Sequence, residues 1–178
     1  AERRALGLPA MQTLAHAVAA MHASASTCRS RGGAASMGWV IDGNAAAFET
    51  LGDVLLESAR HRALTARAQD HCHRLASQLD ARAALDRVRQ CHGDLHLRNI
   101  VMLDGRPTPF DAVEFNDDLT CIDVWYDVAF LLMDLWRRSL PRHANVVMNE
   151  YARASGDLDG LALLPLFLSC RAAVRAKT

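Results

Sequence analysis

The sequence predicts an α+β domain that is predominantly α-helical and carries one small β-hairpin. Its 178 residues suit a single domain, and a hydrophobic content of 51% suits a packed core. Apolar residues recur at helical spacing in most segments of the chain. One segment differs, because Asp104-Gly105 lies between two short apolar runs, as in a two-residue hairpin. We expect residues 1–178 to form one domain.

The first half of the chain is predicted to be helical apart from one long loop. A helix is predicted from about Pro9 to Ala25, with an apolar stripe formed by Met11, Leu14, Val18 and Met21. The segment Ser24–Gly43 is rich in Ser and Gly and is expected to be a loop. Asn44 is a candidate N-cap for a long helical region. The buried positions of that region and of the next helical stretch are expected to be Phe48, Leu51, Leu55, Ala59, Leu64, Ala68, Leu75 and Leu79.

The periodicity changes after Val88, where the hairpin is predicted. Ile100–Leu103 predicts the first strand. Pro107–Phe110 predicts an edge strand, since proline cannot donate to the hydrogen-bond ladder of a central strand. Pairing of these two strands would bring Asp111 back beside Asn99.

Helices are also predicted in the C-terminal third. Thr120-x-x-Asp123 resembles a capping box, so a helix is expected from Ile122 to about Leu140, with Pro141 after its end. Two further helices are expected near Ala144–Ala154 and Leu158–Arg175.

Charge and composition argue against several functional classes. A formal net charge of zero lacks the basic excess of a general nucleic-acid binder. No apolar run is long enough to span a membrane, and the N-terminal residues do not resemble a signal peptide. Five widely spaced cysteines without a C-x-x-C pair predict reduced thiols, not a disulfide framework or a zinc site. These features favour a cytoplasmic protein, and the missing initiator Met suggests a piece of a longer one.

The segment His92–Asn99, which reads HGDLHLRN, carries the residues typical of phosphoryl transfer. Asp94 can take a proton from a hydroxyl, while Asn99 and Asp111 can hold the magnesium ions that neutralise a nucleotide's phosphates. The hairpin between Asn99 and Asp111 supports a shared site. The competing interpretation is that these three residues are ordinary turn formers, since Asn and Asp favour turns.

HGDLHLRN, followed by FDAVEF at residues 110–115, resembles the catalytic segment of the aminoglycoside phosphotransferase and choline kinase superfamily. Leu14–His22 resembles a helix of that family that ends in a Leu-His-like pair, and Asp127–Ala129 resembles its Asp-Leu-Ala helix. The resemblance implies the large C-terminal lobe of a protein-kinase-like fold. It also implies Mg²⁺ and ATP, or another nucleoside triphosphate, as cofactors and a small-molecule alcohol as substrate.

The resemblance implies a role for each matching residue. Asp94 corresponds to the catalytic base, and Asn99 and Asp111 correspond to the magnesium ligands. His92 corresponds to the histidine that braces the loop, and Asp127 to an Asp that hydrogen-bonds the catalytic-loop backbone. For His96, contact with substrate and packing within the loop both remain open.

One part of a kinase is missing from this sequence. Kinases cover the phosphates with a Gly-rich loop and hold them with a lysine on a strand. The only lysine is Lys177, and Gly32-Gly33 has no flanking pair of strands. We therefore expect the N-terminal nucleotide lobe of the same protein to be absent from this chain and to act as its partner. The chain alone is expected to have little or no kinase activity.

Two other functions stay open. A kinase-like lobe could serve as a non-catalytic binding module. A metal-dependent phosphoesterase is the other alternative, because Gly93–His96 looks like part of that family's metal motif, although its downstream Gly-Asn-His block is absent.

Two polar clusters also have competing interpretations. The acidic residues Glu114, Asp117, Asp118 and Asp123 could attract a cationic substrate such as an amino sugar, or could cap helices within a polar loop. Glu114 could touch metal or substrate, or could be solvated.

The second cluster consists of His61, His71, Cys72 and His73. On a helix, His71 and His73 would point about 200° apart and could not share an ion, so surface histidines are expected.

Overall fold

The computed structural model describes residues 7–51 and 57–177 and confirms a mostly helical α+β fold. Within these ranges the chain forms eight α-helices and four short strands. In chain order the elements are α1 (Leu8–Ser24), α2 (Gly33–Leu51), α3 (Ser58–Arg74), α4 (Ala76–Ala84), β1 (Val88–Gln90), β2 (Ile100–Leu103), β3 (Arg106–Pro109), α5 (Asp117–Thr120), β4 (Cys121–Asp123), α6 (Val124–Arg137), α7 (Pro141–Ser155) and α8 (Leu164–Lys177). Two 3₁₀ turns are added at Leu97–Asn99 and Asp159–Leu163.

The strands form two separate antiparallel pairs. β1 pairs with β4, with Gln90 opposite Cys121, and β2 pairs with β3, with Ile100 opposite Pro109. The turn between β2 and β3 places both Asp104 (φ 49°) and Gly105 (φ 77°) in the left-handed region, as a type I′ hairpin requires. The predicted hairpin is therefore confirmed.

Helix α6 lies at the centre of the core. Its residues 124–135 are all buried, as expected for a helix that is covered on every side. α6 packs against both α7 and α8, while α1 packs against α7. The predicted α1 stripe is confirmed for Met11, Leu14 and Val18, which are buried, whereas Met21 is half-buried. Among the described residues, no helix has the length and apolar character needed to cross a membrane.

The predicted loop over Ser24–Gly43 is wrong in its second half. Helix α2 begins at Gly33, because Met37, Ile41, Asn44 and Phe48 form a buried stripe along it. Glycine within a helix costs about 1 kcal/mol relative to alanine, and burial of this stripe offsets that cost. Asn44 is accordingly not an N-cap; it lies in the middle of α2 and is buried.

Several other predicted boundaries and exposures need correction. Asp123, not Thr120, caps α6, since its carboxylate accepts a hydrogen bond from the Trp125 N–H at 2.8 Å. Pro141 is the first residue of α7, where its missing N–H costs nothing. The residues predicted to be buried but found exposed are Leu51, Ala59 and Leu64. Leu55 lies outside the described residues.

Buried ionic groups join distant elements. The Arg82 guanidinium on α4 donates to both carboxylate oxygens of Asp123 and to both of Asp157, at 2.6–2.9 Å. All three side chains are buried. Since a lone buried charge is unfavourable, this triad constrains the relative positions of α4, the start of α6 and the end of α7.

The prediction of five reduced thiols is wrong. Cys28 and Cys121 form a disulfide, whereas Cys72, Cys91 and Cys170 are free and buried. The two partners are 93 residues apart in sequence. Sequence spacing did not indicate this pair, because the two residues come together only when the segment after α1 and strand β4 both pair with β1.

Candidate active site

The loop of residues 91–96 connects β1 to the 3₁₀ turn and is packed closely against neighbouring elements. Gly93 adopts φ 80°, and a Cβ atom there would lie 2.9 Å from the Leu119 carbonyl oxygen. Glycine is therefore required at this position both by backbone conformation and by space. The tight approach places Asp94 at the surface of the loop, where its side chain is 39% exposed.

The Asp94 carboxylate is held through one of its two oxygens. Its Oδ2 accepts a hydrogen bond from the Asn99 side-chain amide at 3.0 Å and lies 3.4 Å from His96 Nε2. None of the described residues donates to Oδ1. One oxygen thus fixes the orientation of the carboxylate, and the other is available to accept a proton.

Asn99 is buried, and its own orientation is defined by Asp94. The Asn99 Nδ2 group donates to both the backbone oxygen and the carboxylate of Asp94, each at 3.0 Å. Because the amide nitrogen has these two partners, the amide oxygen Oδ1 is the atom available to a cation. No donor in the described part of the chain reaches that oxygen.

Asp111 follows the hairpin and is exposed. The Phe110 N–H donates to the Asn99 carbonyl at 3.0 Å, so Asp111 is adjacent to a residue that pairs directly with Asn99. Asp111 has a φ of 60°, a left-handed conformation in which Asp is one of the better-tolerated residues. Its carboxylate accepts no hydrogen bond from the described residues. The oxygens of Asn99 and Asp111 are of the type that Mg²⁺ prefers, so the donor chemistry fits this ion.

The two loop histidines have different environments. His92 is buried, and its ring accepts from the Asp94 N–H at 3.3 Å through Nδ1 and donates to the Phe110 carbonyl at 2.8 Å through Nε2. His92 thereby connects the loop to the end of the hairpin. His96 is also buried and packs edge-on against the Phe130 ring, with Nε2 near Asp94. The geometry favours loop packing for His96.

Asp127 lies in the first turn of α6 and holds the start of the loop. Its carboxylate is fully buried and accepts from the backbone N–H groups of His92 (3.2 Å) and Gly93 (3.0 Å) and from His22 Nε2 (3.1 Å). Burial opposes the charged form, but the hydrogen bond from His22 and the nearby positive groups outweigh it. The pKa of Asp127 therefore lies below its ordinary value.

Two residues that the sequence reasoning missed also hold the loop. Asp134 is buried on α6 and accepts from the Leu97 N–H at 3.1 Å. Arg171 on α8 donates to the Gly93 carbonyl at 3.3 Å, and its guanidinium stacks on the Tyr126 ring at 3.9 Å. Asp134 could have been noticed in the sequence, because it is a charged residue within an otherwise apolar helical stripe.

His22 belongs to a buried polar group behind the loop. Its Nδ1 atom lies 2.8 Å from the Tyr151 hydroxyl, and its Nε2 atom bonds Asp127. Side-chain atoms of His22, Cys91 and Asp127 lie within 4.8 Å of one another. Because His22 and Asp127 are already hydrogen-bonded to protein groups, we interpret this group as structural support for the loop.

Two of the four residues of the acidic stretch pair with arginines. Asp118 pairs with Arg31, and Asp123 is buried against Arg82. Glu114 and Asp117 are exposed. The arrangement therefore gives little support to a concentrated negative surface for a cationic substrate.

His71 and His73 are exposed as predicted, whereas the surface location predicted for His61 is wrong, since it is buried against Phe48.

Comparison with known proteins identifies related sequences of unassigned activity. Three proteins described as uncharacterized, one from Mycobacterium bovis and two from Mycobacterium tuberculosis, are each 37% identical to this chain over 86 residues. The matched segment covers 48% of this chain and 17% of each relative, so the chain spans only a small part of those proteins. No solved structure matches the chain.

A second comparison concerns the family. Residues 9–164 match the phosphotransferase enzyme family, and this range includes Asp94, Asn99, Asp111 and the α6 carboxylates. The match extends from α1 into the first residue of α8. The chain belongs to the phosphotransferase enzyme family.

Proposed function

We propose that this chain is the catalytic lobe of an ATP-dependent phosphotransferase that acts on the hydroxyl group of a small molecule. The observation that carries the proposal is the double hydrogen bond from Asn99 Nδ2 to Asp94. It orients a partly exposed carboxylate with one free oxygen and directs the Asn99 amide oxygen away from that carboxylate.

Asp94 is the proposed base. Its free Oδ1 atom accepts the proton of the substrate hydroxyl while the hydroxyl oxygen attacks the terminal phosphorus of the nucleotide. The bond from that phosphorus to the bridging oxygen breaks, and the nucleoside diphosphate leaves. A positioned base of this kind contributes about 10²–10⁴-fold to the rate.

Asn99 and Asp111 are the proposed magnesium ligands. Magnesium would offset the charge that develops on the transferred phosphoryl group. Asn99 would contribute its amide oxygen, and Asp111 would contribute an exposed carboxylate that has no protein partner among the described residues. A ligand pair with one amide and one carboxylate would present less negative charge to the nucleotide phosphates than two carboxylates would.

The nucleotide lobe of the same protein is the proposed partner. Support comes from exposed apolar side chains on and after the hairpin, namely Val101, Met102, Leu103, Phe110 and Phe115. Phe115 is 87% exposed, which is unusual for a large aromatic residue without a binding partner. Cover by a second lobe would remove this surface from water. Without that lobe, the chain is expected to show little or no kinase activity.

The experiment uses the intact parent protein with ATP and a panel of small alcohols, with formation of ADP and of phosphorylated alcohol as the readouts. Asp111→Asn is expected to raise the Mg²⁺ concentration that gives the half-maximal rate by about tenfold, because one charged oxygen ligand is lost. Asp70→Asn, on the exposed face of α3, is the matched control and should leave that concentration unchanged.

The competing functions predict different results. A non-catalytic binding module would form no phosphorylated alcohol, and a phosphoesterase would hydrolyse phosphate esters without ATP. Phosphorylation with an unchanged Mg²⁺ requirement in Asp111→Asn would remove Asp111 from the proposed metal site.

A further inference from the structure

A cavity of about 280 Å³ lies between α2, α3 and α8. Its walls come from residues 41–48 of α2, residues 64–68 of α3 and residues 169–176 of α8. None of the lining residues belongs to residues 91–99 or to the hairpin that precedes Asp111. The phosphoryl-transfer chemistry proposed above makes no use of this cavity.

Most of the cavity surface is apolar. Ile41 and Phe48 from α2 are buried beneath it, and small side chains on α8 leave the space open. Those small residues are Ala172, Ala173 and Ala176. Phe48 is held from behind by the buried His61 ring, with a centroid distance of 6.1 Å. The apolar wall is therefore formed by side chains that are themselves supported by packing.

One buried polar atom at the cavity lacks a partner. Asn44 lines the cavity and is only 5% exposed. Its Nδ2 group donates to the Cys170 carbonyl at 3.3 Å, and this bond fixes which end of the amide is nitrogen. The amide oxygen Oδ1 then has no donor among the described residues. A buried acceptor without a partner is unfavourable, so a ligand that donates to it gains affinity.

Among the residues that the structure describes, the lining includes no charged side chain. Its polar members besides Asn44 are Thr65, Ser169 and Cys170. Burial raises the pKa of the Cys170 thiol to about 12, so this group stays neutral at physiological pH. Transfer of an ion into such a site would be costly, because nothing compensates for the loss of hydration. The cavity therefore selects against charged molecules.

We propose that the cavity between α2, α3 and α8 is a binding site for a small, neutral, mostly apolar molecule that donates one hydrogen bond to Asn44 Oδ1. A cavity of about 150 Å³ accommodates benzene, so this one suits a ligand of roughly twice that size. An alkylphenol has the required features, with an apolar body and one hydroxyl donor.

The test measures binding of 4-ethylphenol to this chain by calorimetry, with 4-ethylanisole and 4-ethylbenzoate as matched probes. The phenol should bind with one-to-one stoichiometry. The anisole, which lacks the donor, should bind about fivefold more weakly, since a hydrogen bond is worth about 1 kcal/mol net. The charged benzoate should show no saturable binding.

Variants locate the site. Asn44→Leu should bring the phenol and anisole affinities within about twofold of each other, because the acceptor is gone. Ala173→Phe should abolish binding of both by filling the cavity. Ala172→Phe should also abolish binding of both probes, and because this position is exposed on the cavity rim the substitution leaves the core unchanged. Ala154→Phe, on an exposed face of α7, is the control and should bind like the unmodified chain.

Three results would overturn the proposal. The first is absence of saturable phenol binding at millimolar concentration. The second is equal affinity for phenol and anisole in the unmodified chain, which would assign no role to Asn44. The third is a dimer in sedimentation experiments that Ala172→Phe dissociates, which would make a second copy of the chain the occupant.

Discussion

Asp127 and Asp134 lie two turns apart on the same buried helix, and both carboxylates accept hydrogen bonds from the backbone around Asp94. Asp127 bonds the N–H groups of His92 and Gly93, and Asp134 bonds that of Leu97. Residues separated by seven positions share one helix face. One face of α6 therefore holds both ends of the loop, and Asp94 lies between the two attachments.

Amide hydrogen exchange should separate the two attachments. Asp127→Asn is expected to accelerate exchange at His92 and Gly93 about tenfold and to leave Leu97 nearly unchanged, because the neutral amide is a weaker acceptor. Asp134→Asn should accelerate exchange at Leu97 alone. Asp117→Asn, at an exposed position, is the control. Equal acceleration of all three amides in both variants would show that the loop opens as one unit.

The stability that Asp127 provides should depend on pH. Its pKa is lower in the folded chain than in the unfolded chain, where the value is about 3.9. The contribution is thus fully present above the unfolded pKa and is lost as the pH falls through the folded pKa. The hydrogen bond from His22 and the electrostatic interactions with His22, Arg171 and His92 lower this pKa and outweigh the opposing effect of burial.

Urea unfolding of the unmodified chain and of Asp127→Asn measures this contribution. The difference in the free energy of unfolding is expected to be roughly 3–5 kcal/mol near pH 7, as for other broken buried pairs. It should shrink as the pH falls below about 4, the range in which a carboxylate with a lowered pKa becomes protonated. A difference that stays constant between pH 7 and pH 3 would contradict the assignment.

Thiol titration tests the disulfide. The unfolded chain without reductant should present three reactive thiols, from Cys72, Cys91 and Cys170, and five after reduction. Cys28→Ser should present four and should lower the free energy of unfolding by about 2–5 kcal/mol, because the bond closes a long loop. A count of five thiols before reduction would show that all five cysteines are reduced, as the sequence predicted, and would contradict the disulfide. Because disulfides are rare in reducing compartments, the count also bears on the predicted cytoplasmic location.

Substitution of the proposed base should affect turnover more than binding. In the intact parent protein, Asp94→Asn is expected to lower kcat by about 10²–10⁴-fold with little change in KM, because the hydrogen bond from Asn99 can remain while the basic oxygen is lost. Asp70→Asn serves again as the control. A normal kcat in Asp94→Asn would exclude the proposed role. Robust turnover by this chain alone would show that the second lobe is not required.

Local sequence patterns were sufficient to predict the elements whose structure depends on neighbouring residues. Three elements were predicted in this way: α1 from its apolar stripe, the hairpin from Asp104-Gly105, and α6 from its apolar run. The pattern failed for α2, where Ser and Gly suggested a loop. There the helix forms because Met37, Ile41 and Phe48 are buried against other elements, and packing of this kind overrides weak local preference.

The candidate site was also predictable from the sequence only in part. The spacing of Asp94, Asn99 and Asp111 could be recognised from the sequence, and so could the role of Asp127 in holding the loop, through the resemblance of its segment. The sequence did not reveal Asp134 or Arg171, since both act on loop residues far away along the chain. It also did not reveal that Asn99 holds one Asp94 oxygen and leaves the other free.

By itself the sequence determined the helical character of the chain, the hairpin and the residues that carry the proposed chemistry, because these depend on residue type and short spacing. Only the tertiary structure decided the loop attachments on α6, the Arg82 triad, the Cys28–Cys121 disulfide and the cavity beside Asn44. Each of these joins residues that are distant in sequence, and their contacts form only when the helices pack around α6.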